Sequence, residues 1–264
     1  MQRLGVVLCA VFLLSSCGKD NGVGTGGIAG YSVPYLASGT ETYCTTTLTK
    51  DSLNNILESD VDSELVRIEG LGEMVDGYAG LTRVSALSLS HNLGSESVWY
   101  KTDADSLVEM AYSGAGRVTL VLPKEKLRFA FSPLDVPPLV WQMIVKKLGS
   151  DSIIARTDPR VVYRYPLTQG RSWAAFHDPW LEEREVVGSE IVTVKAGVFY
   201  CSKIKTTISF GTEPSGVEWF DYVASQGLIL RTISVSPVTV TSVTSPDSAI
   251  TGSSTQRMEL VSVQ

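Results

Sequence analysis

The stretch Arg184–Phe210, REVVGSEIVTVKAGVFYCSKIKTTISF, decides how the rest of the chain is read. Two runs rich in β-branched and aromatic residues, Arg184–Val194 and Phe199–Phe210, flank Ala196-Gly197. Glycine takes a positive φ without a steric penalty, so the dipeptide reads as the turn of an antiparallel hairpin. Working outward, similar short runs recur downstream at Gly216–Val223, Leu228–Val235, Val238–Val243 and Gln256–Val263, with Ser245–Ser254 as a polar turn. Gly227 makes the turn after Val223. Upstream lie Glu64–Glu69, Thr82–Ser90, Ser97–Thr102, Leu107–Ala111, Arg117–Leu122, Leu127–Phe131 and Arg160–Tyr165. Turn signals about every ten residues, with no helix between strands, predict a mainly β domain built on one antiparallel sheet.

Two segments predict helix. Asp135 suits an N-cap, Pro137 and Pro138 suit a first turn, and Lys146, Lys147 and Gly149 suit a helix end. Val136, Val140, Trp141, Ile144, Val145 and Leu148 then share one broad face, giving a principal helix over about 136–148 that packs against the sheet. A shorter one is expected at Asp51–Glu58, with Asp51 as its cap and Leu53, Ile56 and Leu57 on one side.

At the other end, Arg3 and the apolar run Leu4–Leu14 precede Ser15-Ser16-Cys17. The run is too short to span a bilayer and reads as an export signal. Small residues directly before a cysteine resemble a bacterial lipobox. The resemblance implies cleavage between Ser16 and Cys17 and acylation of Cys17, hence a membrane attachment by palmitate-type chains. Each buried methylene contributes about 0.8 kcal/mol, so two or three chains hold effectively permanently. Gly18 in place of an aspartate implies sorting to the outer membrane, facing the periplasm. Residues 1–16 are thus the signal, 17–30 an acylated cysteine with a Gly-rich tether, and 31–264 a single β-rich domain.

Composition closes off several functions. The 264-residue chain carries a net charge of −6 without basic clusters, which excludes nucleic acid as a partner. Its two histidines, His91 and His177, lack ligand spacing, no HExxH or CxxC is present, and neither a metal nor another cofactor is expected. No G-x-S-x-G elbow occurs, and Gly114-Ala115-Gly116 lacks the context of a dinucleotide loop. Glu182-Glu183-Arg184-Glu185 offers carboxylates, but neighbours on a strand face opposite ways, so the group reads as a solvated turn. Catalytic residues are therefore not expected. With Cys9 in the signal and Cys17 acylated, Cys44 and Cys201 remain, and an oxidising compartment makes a disulfide between them one expectation and two separate buried thiols the other.

Three motifs in the second half, within 160–235, carry a family resemblance. Tyr165-Pro166-Leu167-Thr168-Gln169-Gly170-Arg171-Ser172-Trp173 is similar to Y-P-L-x-x-G-x-x-W. Ala196–Ile204 is similar to A-G-x-F-x-C-x-K-I, and Trp219–Ala224 with Gly227-Leu228-Ile229 to W-Y-A…G-V-G-L-V. Their order resembles exported bacterial families of unknown function grouped with the LolA/LolB lipoprotein carriers. The chain departs from that pattern at Lys195 and at Ser225-Gln226. The resemblance implies a strongly curved antiparallel half-barrel with a helix against its concave side, and it supplies no catalytic residues. Read from the residues alone, Gly170 permits a tight turn, and Trp173, Phe199 and Trp219 are core side chains. Two roles follow from such a hollow. Either it is plugged and the protein is a structural or assembly component with an envelope protein partner, or it binds a lipid or acyl chain.

Overall fold

A computed structural model describes residues 39–90, 95–113, 118–121, 128–131, 153–177, 181–210, 213–214, 216–242 and 245–264. The predicted helix at 136–148 lies outside them, as do Ser16, Cys17, His91 and Gly114–Gly116. The described residues are nearly all antiparallel strand. In chain order these are β1 (Thr40–Asp51), β2 (Ile56–Val75), β3 (Tyr78–Ser88), β4 (Ser95–Thr102), β5 (Ser106–Ser113), β6 (Val118–Val121) and β7 (Arg128–Phe131). They continue with β8 (Ile153–Arg164), β9 (Ser172–Phe176), β10 (Leu181–Val194), β11 (Gly197–Phe210), β12 (Glu213–Pro214), β13 (Val217–Ala224), β14 (Gly227–Ser242) and β15 (Ser245–Val263).

One sheet takes almost all of them, in the order β8-β5-β4-β3-β2-β1-β15-β14-β13-β11-β10-β9. β12 pairs with β11, and β6–β7 form a separate two-stranded ribbon. Apart from β1 with β15, β5 with β8 and β11 with β13, paired strands are sequence neighbours, so hairpins build the fold and two long closures join its halves. The sheet curls until its edge strands meet. The indole N–H of Trp173 on β9 donates to the Val161 carbonyl of β8 at 3.0 Å. The result is an almost closed barrel, with a seam between β8 and β9 that side chains hold instead of a backbone ladder.

Inward positions alternate with outward ones, as the pleat requires. On β10, Glu182, Arg184 and Val186 are buried while Glu183 and Glu185 are exposed. The principal core joins Tyr43, Val66, Val84, Tyr100, Leu107, Tyr163, Ile204, Leu228, Ile229 and Leu260 from strands all round the barrel. A smaller cluster, Val75, Leu81, Trp99, Val108, Met110 and Ala111, forms a separate apolar group on β2–β5. Glycine is required at the turns the sequence assigns to it: φ is 84° at Gly170, 141° at Gly197 and 125° at Gly227.

Two expectations are corrected. Asp51–Glu58 is not a helix but the end of β1, a tight turn and the start of β2. Asp51 keeps a capping role, its carboxylate accepting from the Leu53 and Asn55 amides at 2.8 Å each and from the Asn55 side chain. Asn54 adopts the positive φ that this loop needs, and the apolar Leu53 and Ile56 are left exposed. Ser245–Ser254 is not a turn: it is the first half of β15, paired to β14 through Val238↔Gly252 and Val240↔Ile250. Serine and threonine there carry no apolar alternation, so only the pairing partner makes them strand.

The two ends of the barrel differ. Thr40 and Gln264 exchange backbone hydrogen bonds at 3.2 and 2.8 Å, so the described chain begins and finishes at one end. Thr40 lies opposite Arg67, and Ile68–Val75 with the first part of β3 continue past Thr40, with β4 and the β4–β5 turn alongside them. The β10–β11 hairpin turns at the same end. Its tip bends beneath β13 and β14, where the Ala196 amide donates to the Leu260 carbonyl of β15 at 3.2 Å. Val192 and Val194 face the core while Ile191, Val198 and Tyr200 face outward.

Candidate functional site

The inward side chains near the seam are charged. Arg231 on β14 holds Asp221 on β13 through two hydrogen bonds, of 2.6 and 2.8 Å. Asp221 lies 4.0 Å from Arg184 on β10, and Arg184 donates to Glu182 at 2.9 Å. Glu182 accepts two bonds, 2.7 and 3.0 Å, from Arg160 on β8. Arg160 reaches Glu109 on β5 at 3.4 Å, and Glu109 also accepts from Arg156 at 2.6 and 2.8 Å. Seven side chains of alternating sign thus run across the interior from β14 to β5. All are buried, and Arg184 and Arg231 are among the largest side chains with almost no exposed surface.

Aromatic rings flank the guanidinium groups. Trp219 lies against both Arg231 and Arg184, with carbon-to-centroid distances of 4.7 and 5.4 Å, and its indole N–H donates to Asp221 at 2.8 Å. Tyr163 faces Arg184 at 5.9 Å, while Tyr112 and Phe176 face Arg156 at 5.2 and 5.1 Å. Arg184 further donates to the Val162 carbonyl at 2.9 Å. The planar fork of arginine satisfies several acceptors at once, which is what a charge needs away from water. A guanidinium keeps its proton across the working pH range. The ladder ties strands of both halves together.

Glu182 and Arg184 were expected on a solvated turn, and this is overturned: they are strand residues buried in the ladder, and only Glu183 and Glu185 face water. The period-2 rule separates the adjacent carboxylates correctly, but the run alone does not say which of the two faces is inside. A signal was present in the spacing. Glu182/Arg184 and Trp219/Asp221 stand two apart, and Arg156/Arg160 four apart, all on one strand face.

The other predicted residues do not converge here. Trp173 and Trp219 are buried and Phe199 packs against the core, as expected. His177 is exposed, 3.6 Å from Asp158. Among the described residues no group of three or more His, Cys, Asp or Glu is arranged to hold a metal. Cys44 and Cys201 are not joined: both are free thiols, with β15, β14 and β13 between their strands. Strands stand ~4.8 Å apart, whereas a disulfide needs Cα atoms within ~7 Å.

Burial also governs the phenols and the thiol. Burial first, then the Glu41 charge, hold the Tyr43 hydroxyl well above its ordinary range. That hydroxyl lies 2.8 Å from both the Glu41 carboxylate and the Leu228 carbonyl. Burial pushes Tyr112 up to about 12 and likewise, with a smaller push from Glu190, Cys201 up to about 12. For acids raised in this way the stabilisation is complete below the unfolded values, 9.0 for the thiol and 10.0 for the phenol, and is lost as pH climbs toward about 12. Thiol labelling at mildly alkaline pH is thus expected to modify half-buried Cys44 first and Cys201 only on unfolding. Equal labelling rates in the folded protein would contradict the buried placement.

On the outward face of β2–β4 lies an open groove of about 360 Å³, lined by Arg67, Glu69 and Arg83 with Ser85, Ser95 and Ser97. Hydrogen bonds from Arg67 and from the Ser85 hydroxyl hold the Glu69 carboxyl below its ordinary range. Its charges are thus partly satisfied by one another.

No protein-family model matches the chain, and no match to it was found among curated proteins. Two solved structures are distantly similar. One, from Bacteroides fragilis, is described as an exported protein with a YmcC-like fold. It is 12% identical, with 86% of this chain and 97% of that one covered and a TM-score of 0.36. The other, from Parabacteroides distasonis, is described as a lipoprotein. It is 12% identical, with 89% and 100% covered and a TM-score of 0.27. Likenesses this distant carry no argument about what the chain does.

Proposed function

We propose that this chain is an envelope protein anchored by acyl chains on Cys17, and that its barrel acts as a structural or assembly component, without catalytic residues. The observation that carries the reading is the charge ladder. A carrier of acyl chains needs an apolar hollow. Here the interior near the seam is occupied by Arg156, Arg160, Arg184 and Arg231, their three acidic partners and the rings against them. Placing a lipid tail there would require those charges to be displaced, and a buried charge stripped of its partner is strongly unfavourable.

The exterior supports a domain in water. Glu183, Glu185, Lys205 and Arg67 are exposed on outward strand positions, where a membrane-spanning barrel would present an apolar band. The outer membrane, with the domain facing the periplasm, is the location that Gly18 favours.

Mass spectrometry of protein extracted from membranes tests both halves of the reading. The expected mass is that of a chain starting at Cys17 with covalent acyl chains, and the native spectrum is expected to show no further bound lipid. Lipid released on denaturation would instead make the protein a carrier. A mature chain without acyl groups would remove the anchor.

A further inference from the structure

We infer that the end of the barrel at which the chain enters is a membrane-contact face, seated on the lipid surface by the tips of the β2–β3 and β10–β11 hairpins. The inference rests on the proposed acylation of Cys17 and adds to it a fixed orientation of the domain.

Three observations meet at this end. First, β1 starts here, at Thr40, so whatever links Cys17 to the barrel attaches here; the opposite end of β1 is ~40 Å away at strand rise. Second, the β2–β3 hairpin continues past Thr40 and the β10–β11 tip folds back across the same end to Leu260, so both lie where the chain enters, beside the β4–β5 turn that carries Asp103 and Asp105. Third, those tips expose large apolar side chains: Leu71 at 75% and Met74 at 73% on one, Ile191 at 71%, Val198 at 67% and Tyr200 at 51% on the other.

The β10–β11 tip is built to present that face. Its bond from Ala196 to Leu260 fixes it across the mouth, and Val192 and Val194 plant its inner side in the core. Its outer side then cannot turn inward without breaking that packing. Ile191 and Tyr200 are cross-strand partners, so they form one contiguous patch with Val198 beside them. Aliphatic side chains beside a tyrosine suit the boundary between headgroups and acyl chains. The tether holds this patch at high local concentration near the bilayer, so even weak contacts are populated.

The molecule contains its own control. Leu53 and Ile56, at the far end, are exposed to 79% and 63%, matching Leu71 and Ile191 in residue type and accessibility. The experiment is hydroxyl-radical footprinting of the full mature protein floated on phosphatidylethanolamine–phosphatidylglycerol vesicles, each rate normalised to the same residue in the urea-unfolded chain. The expected result is severalfold slower labelling of Leu71 than Leu53 and of Ile191 than Ile56, with Met74 and Tyr200 protected as well. Equal labelling of the pairs on floated protein, or protection of the far end, would overturn the contact face while leaving the anchor intact. Protein that fails to float would sink the anchor and the contact face together.

Discussion

Asp221→Leu is expected to lower the stability of the domain by about 3–5 kcal/mol, because it leaves Arg231 and Arg184 buried beside an apolar side chain. For a domain of this size the melting temperature should fall by about 10 °C. Trp219 also loses the acceptor of its indole N–H. Arg231→Met should cost a similar amount by stranding the carboxylate. The double variant should recover much of the loss, since replacing both members of a buried pair by apolar groups is often close to neutral. Recovery should stay incomplete, because Arg184 keeps its other contacts but loses Asp221. Denaturant titration of the four proteins gives the coupling energy directly. Single variants that each cost below about 1 kcal/mol would mean that the pair is wet, as surface ion pairs are.

Arg160→Met is expected to open the seam. Arg160 on β8 donates to Glu182 on β10 across the seam, where no backbone ladder runs, and reaches Glu109 on the paired strand β5. Losing it leaves Glu182 with Arg184 and Glu109 with Arg156, so part of each carboxylate's compensation survives. A loss of about 3 kcal/mol, the lower part of the range for a broken buried pair, is the expected size. Its location distinguishes it from a general loss of packing. Hydrogen exchange should quicken in β8 and β9 first, while the β1–β15 and β10–β11 ladders keep their protection. Faster exchange by the same factor in every strand would mean that the seam does not open as a unit.

Legibility in the sequence followed chemistry. Hairpins closed by glycine were readable because the turn needs a positive φ, and Gly197 and Gly227 are where β10–β11 and β13–β14 turn. β1 was not readable, because its inward positions are Glu41, Tyr43, Thr45, Thr47 and Thr49, which show no apolar alternation. Their burial comes from the strands paired on either side in the sheet, where Thr45 lies opposite Asp62 on β2 and Met258 on β15. Strand lengths were underestimated for the same reason. β2 and β15 include polar stretches that only pairing makes extended.

By itself, the sequence determined the mainly antiparallel class, the hairpin turns and the aromatic residues of the core. Those depend on local sterics and on side-chain hydrophobicity, both written into short stretches of chain. Tertiary structure alone decided that the sheet curls until β8 meets β9, and that arginines and carboxylates near the seam lie inside. The sign of a face and the partner of a charge depend on which distant strand arrives opposite, and Arg160, Glu109 and Glu182 come from three separate parts of the chain.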